Sequence, residues 1–253
     1  MQLSSTLSRI SGKTALPFFC FTLILVLGYS YSYSQKNGEK GSITSESRPV
    51  SGFTGITLDI HADVAISQDN NFEVTIEARQ EILDQIITEK KGDNLVIKNK
   101  DPKWHMSGEN PIRITIHMPK LNAIELNGSG NITARTDFST DKMKLEVNGS
   151  GNVKMMGISA SSFMAEINGS GNVDHVSGKI NEASFAVNGS GNINAENLSG
   201  KTVRAMISGS GDISVGVSDE LNVDIAGSGN VYYKGSPAEI KKSIVGSGGL
   251  SQR

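Results

Sequence analysis

The triplet Gly-Ser-Gly occurs seven times in the second half of the chain, beginning at Gly128, Gly149, Gly169, Gly189, Gly209, Gly227 and Gly246. Successive triplets are separated by 21, 20, 20, 20, 18 and 19 residues, and a near-constant period of this length marks a repeat architecture. The surrounding columns agree. Ile124, Leu145, Ala165, Phe185, Ala205 and Val223 stand four residues before the first glycine, and Leu126, Val147, Ile167, Val187, Ile207 and Ile225 stand two before it. Four residues after it come Ile132, Val153, Val173, Ile193, Ile213, Val231 and Leu250.

The first two columns alternate with polar residues such as Glu125, Glu146, Glu166 and Asp224. Period-two alternation is a strand with one buried face. The triplet then breaks the strand, because glycine reaches positive φ without steric cost. The turn positions are therefore Gly128 and Gly130, Gly149 and Gly151, Gly169 and Gly171, Gly189 and Gly191, Gly209 and Gly211, and Gly227 and Gly229. A third apolar segment recurs around Phe138, Ile158, Val176, Leu198 and Val217. A single such turn buries too few side chains to offset the entropy of ordering its backbone, whereas stacked turns share ladders and buried rims. Equal spacing favours parallel, in-register stacking over hairpins. The expected fold is all-β: a single-stranded parallel β-helix, or solenoid, right-handed, with coils of about 20 residues. Asn131, Asn152, Asn172, Asn192, Asp212 and Asn230 follow the triplets, and Asn127, Asn148, Asn168 and Asn188 precede them. Stacked asparagines form amide ladders; the second set also reads as Asn-x-Ser sequons, with the corner role preferred.

Only 6% of residues are aromatic, so the core must be built from Val, Ile, Leu and Ala. Residues 1–34 contain Arg9 and Lys13 but no acid, an apolar run from Ala15 to Leu27, and the small-residue exit Ser32-Tyr33-Ser34. That order is a secretory signal peptide, with Gln35 as the mature N-terminus. Cys20, the one cysteine, lies inside this leader behind Phe19, so lipidation is not expected and the mature chain has no disulfide. Residues 35–49 are polar and expected to be a flexible tail. Residues 50–121 lack the triplet yet alternate well, as in Ile56-Thr-Leu58-Asp-Ile60 and Ile112-Arg-Ile114-Thr-Ile116. They form an N-terminal β segment continuous with the repeats of 122–253. Glu81–Ile87 has helical spacing and is expected to cap the open end.

The residues offer little chemistry. Gly-Ser-Gly is followed by a strand, not by the helix that a phosphate loop requires. The asparagines stand where a calcium-binding β-roll needs aspartates, and His61, His105, His117 and His175 show no metal spacing. The formal net charge of −2 comes with no clustered basic face for nucleic acid. No cofactor is expected. The exception to the monotony is the loop Asn99–Asn110, which carries Lys103, Trp104 and His105. Its tryptophan either serves as a ligand platform or folds back over the apolar end.

Taken together, the Val50-Ser-Gly-Phe-Thr-Gly-Ile56 opening, the Leu83-Asp-Gln-Ile86 turn and the Asn-Gly-Ser-Gly-Asn series resemble the auto-transporter adhesin head GIN domain family over roughly residues 50–250. The resemblance implies a β-helix similar in shape to pectin lyases but without their catalytic residues. It also implies export in Gram-negative bacteria and a role in adhesion; at residue level it maps only the turn glycines. The expected function is a secreted or cell-surface, non-enzymatic binding module. Its partners would be cell-surface carbohydrate or protein, and a second copy of the chain. The alternatives left open are a carbohydrate-active enzyme on the same scaffold and a purely structural cell-envelope spacer.

Overall fold

Each Gly-Ser-Gly corner sits directly on the corner of the coil below. The computed structural model describes residues 42–104 and 111–253, all within one unit, Glu39–Arg253. The expected leader lies outside the described residues. The first strands are β1 (Ile43–Ser47), β2 (Gly55–Leu58), β3 (Asp63–Gln68) and β4 (Glu73–Arg79), followed by the helix α1 (Gln80–Leu83). Then come β5 (Ile86–Lys91), β6 (Asn94–Asn99), β7 (Arg113–Met118), β8 (Ala123–Gly128) and β9 (Asn131–Ser139). The repeats continue as β10 (Lys142–Gly149), β11 (Asn152–Gly169), β12 (Asn172–Asp174), β13 (Ser177–Gly189) and β14 (Asn192–Gly209). The chain ends in β15 (Ile213–Gly227), β16 (Asn230–Lys234), β17 (Glu239–Gly246) and β18 (Gly249–Gln252).

The repeats pair in parallel and in register. Leu145 lies on Ala165 and Val147 on Ile167, with Asn148 on Asn168 and Gly149 on Gly169, and the same match recurs from β13 to β17. Period-two alternation sends Leu145, Val147, Ala165 and Ile167 inward, each fully buried. At the corners, the carbonyl of each leading glycine except the last, Gly246, accepts two N–H groups from the corner above. Ser150 and Gly151 donate to Gly128 at 3.0 and 2.9 Å, and Ser170 and Gly171 donate to Gly149 at 2.9 and 3.0 Å. The corner backbone is thus satisfied by its neighbour rather than by water.

Both asparagine ladders form. Asn148 Nδ2 donates to Asn127 Oδ1 at 2.9 Å, and Asn168 and Asn188 continue the series at 2.9 Å. On the other flank Asn152 donates to Asn131 at 3.0 Å and Asn172 to Asn152 at 2.9 Å. Each ladder starts on a carboxylate: Asn127 donates to Asp59 and Asn131 to Asp63, both at 2.8 Å. Every amide points its donors toward the N-terminal end, so the foot of the ladder needs a group that only accepts, and Asp supplies it.

The N-terminal segment is continuous with the repeats, but its coils are not stacked in chain order. β2 and β3 lie directly under β8 and β9, while β6 and β7 lie under β2 and β3. The chain lays down one coil, drops to the end of the stack, builds the coil beneath, and then passes over the first to begin the repeats. The end itself is closed by antiparallel strands: β4 on β7, β1 on β4, and β5 on β6. Ile43–Ser47, in the stretch expected as flexible tail, is therefore the outermost strand, held by pairs from Ile43–Arg79 to Ser47–Thr75. The expected seven-residue helix is a single turn, Gln80–Leu83, with Ile82 and Leu83 buried at the closed end. Ile86-Ile87-Thr88, a β-branched run suited to a pleated surface, begins a strand instead.

The core is one column of apolar side chains. Phe53, Phe138, Phe163 and Phe185 are its largest fully buried members, and Phe163 meets Phe185 edge to face at 5.7 Å. Thr57 is the one buried polar side chain among the described residues, and Asn94 and Glu125 satisfy it at 3.0 and 3.2 Å.

Candidate functional site

The loop singled out by sequence does not present its tryptophan. Trp104 is half-buried and packs against the core, its N–H donating to the Asp101 carbonyl at 3.0 Å. Lys103 is exposed, with its N–H on Asp101 Oδ1 at 2.9 Å, and His105 lies outside the described residues. The segment lies between β6 and β7, which are in register through β2 and β3 with β8 and β9, the strands either side of the first Gly-Ser-Gly.

Several of the acidic and imidazole groups considered above are engaged in structure. Asp59 and Asp63 end the amide ladders. His61 Nδ1 lies 3.2 Å from the Ser129 carbonyl and 3.1 Å from its hydroxyl. In the Glu125–Glu146–Glu166 column, the Lys144 ammonium and then the Asn148 amide hold the Glu146 carboxyl below the usual carboxylate range. Among the described residues no three His, Cys, Asp or Glu side chains converge at metal distance.

A different feature gathers polar groups. Between the third apolar segment and the strand leading into the triplet, the ladder skips one residue per coil: Ala160 pairs with Ile180 and Ser162 with Glu182, while Ser161 and Asn181 drop out. One coil on, Ile180 pairs with Gly200 and Glu182 with Thr202, which frees Lys201. These released residues form one wall of a groove. The other wall is an in-register column of Ser139, Ser159, Lys179 and Ser199. Ala160 and Ile180 make the floor, and the next position in register is Gly200, which adds no side chain. The groove encloses about 500 Å³ and runs along the solenoid axis for roughly 19 Å, four coil spacings of about 4.8 Å. Its lining includes five serines, one threonine, one asparagine and two lysines, and no carboxylate. Walls of hydroxyl, amide and ammonium groups can donate to and accept from a polyhydroxylated chain.

Residues 52–237 match the family described as "Putative auto-transporter adhesin, head GIN domain". The chain belongs to this family. Among solved structures the domain is similar to a putative adhesin from Bacteroides fragilis, with 25% identity and a TM-score of 0.80 over 84% of this chain and 97% of that one. A putative adhesin from Parabacteroides distasonis is 22% identical with a TM-score of 0.71, covering 85% and 98%. A protein from the same organism described as a putative lipid binding protein is 26% identical, with a TM-score of 0.68 and the same coverages. No curated protein matches the chain.

In this head GIN domain the first glycine of each triplet takes positive φ and the second does not, and the sequence reading missed the groove. Its columns recur at 20 residues, Ser139–Ser159–Lys179–Ser199 on one side and Ser161–Asn181–Lys201 on the other. Polar columns of this kind read as an ordinary solvated face. The usable signal was the lack of Asp and Glu in them, in a chain with 26 acidic residues.

Proposed function

We propose that this head GIN domain is an exported, non-enzymatic binding module at the cell surface or in the periplasm, engaging envelope carbohydrate or another surface partner. The observation that carries the reading is the groove: a hydrogen-bonding trough whose lining includes no carboxylate and no imidazole. Such a trough offers many weak, directional contacts and no reactive centre. The adhesin descriptions of the family and of its structural neighbours support the same class.

The experiment is a glycan array with the mature chain, run beside a product assay on the same polysaccharides. Retention without chain cleavage is expected. Release of oligosaccharides would replace the reading with an enzyme, and binding to nothing on the array or on cell envelopes would leave a spacer. Export is tested by N-terminal sequencing of protein from the producing cell, expected to begin at Gln35. Recovery of Met1 on membrane-bound protein would refute it.

A further inference from the structure

We infer that the groove selects an acidic polysaccharide, an extended chain bearing carboxylate or sulfate groups, lying along the solenoid axis between Lys179 and Lys201. The inference rests on the binding reading above and names the chemistry of the ligand.

Lys179 stands in the serine column and Lys201 on the opposite wall, one coil further along the axis. Both are exposed, and neither takes part in an ion pair among the described residues. This sets them apart from Lys98, Lys144 and Lys241, which lie 2.6–2.9 Å from Glu89, Glu146 and Glu220. The acids next to lining residues in sequence, Asp141, Glu182 and Asp219, are not part of the lining, and the Asp219 carboxylate accepts the Ser218 hydroxyl at 2.6 Å. Two ammonium groups without ion-pair partners, lining one trough that includes no carboxylate, make it locally positive within a chain of net charge −2.

The geometry suits a polymer rather than a small ion. Contact groups repeat at every coil along roughly 19 Å, so successive sugar units meet successive Ser hydroxyls, and the two lysines bracket acidic substituents from both sides. A neutral glycan would use the hydroxyls but leave both charges unpaired. A lone phosphate would touch one lysine and forgo the rest of the trough.

The test measures binding of alginate, a polyuronate, with dextran as the neutral polymer, by titration at low salt and again at high salt. The wild-type chain should bind alginate in preference to dextran, and binding should fall as salt screens the exposed charges. Lys179→Gln and Lys201→Gln should each weaken it about 2- to 5-fold and the double variant about tenfold, the scale of exposed ion pairs. Lys90→Gln with Lys91→Gln, on the distant β5 strand, should leave it unchanged. Ser159→Trp, which fills the trough from an exposed wall position, should abolish it with the fold intact by circular dichroism. Equal binding of alginate and dextran, no alginate binding, or an undiminished double lysine variant overturns the inference. Retention of a neutral glycan or a protein on the array alongside any of these results would leave the binding function standing and remove only the acidic-chain assignment.

Discussion

Gly128 and Gly149 form a matched pair that separates two costs of building this corner. Both adopt positive φ, +137° and +132°, so either change to alanine strains the backbone by about the same 1–3 kcal/mol. They differ in what lies below. A Cβ on Gly128 meets nothing within 4 Å, because the coil beneath turns through Ile60-His61-Ala62. A Cβ on Gly149 would stand 2.6 Å from the Gly128 carbonyl oxygen and 3.2 Å from its carbon. That oxygen is not free to yield: it accepts from Ser150 and Gly151 at 3.0 and 2.9 Å. Restoring ordinary contact means moving a packed backbone by most of an ångström, which adds overpacking of about 1–3 kcal/mol. Gly149→Ala should therefore destabilise more than Gly128→Ala by about 1–3 kcal/mol, or at least about 2–4 °C in Tm for a domain of this size. Urea unfolding of both variants, with the slope held to the wild-type value, measures the difference. Equal losses, or a Gly149→Ala chain as stable as wild type, would show that close stacking of the corners is not what demands glycine there.

Asn168→Asp should cost about 1–3 kcal/mol at neutral pH, because it removes the donor to Asn148 and faces one acceptor with another. The new carboxyl is held above its ordinary value in the fold, so the loss should fade as pH falls toward about 4, read from unfolding midpoints across pH. Glu146 is the opposite case. Its folded value is depressed by Lys144 and Asn148, so its contribution is present above the ordinary carboxylate range and lost as pH falls through the depressed value. Glu146→Gln should flatten the acid limb by less than about 1 kcal/mol, and an unchanged limb would show that the ion pair does not stabilise. At the C-terminal end Lys242 occupies the inward column held by Val223 one coil below, where a charge opposes stacking of another chain. Lys242→Val should raise the apparent mass in light scattering across a concentration series, and identical masses for variant and wild type would remove the edge argument.

The repeat was legible because its information is periodic. A residue every 20 positions that faces the core must be apolar, and a corner stacked on a corner must be glycine, so register, ladders and buried columns can all be read from spacing. The N-terminal coils were not. The alternation in Ile56–Ile60 and in Ile112–Ile116 fixes which side chains point inward, but it is the same whichever neighbour the strand chooses. Only the structure shows that β2 lies between β6 and β8. The second corner was hidden for a related reason. The apolar column makes Val176 the counterpart of Ile158, yet the ladder pairs Ile158 with Gly178. The chain accommodates the shift through His175 at φ 59°, a conformation in which histidine is enriched among non-glycine residues. Ile180, two residues on, lies buried beside the position where Gly178 has no side chain. Polar residues at a 20-residue period line a trough where the corner residues leave the ladder and a flat face where they stay in it. The backbone at Ser161 and Asn181, not the periodicity, decides which.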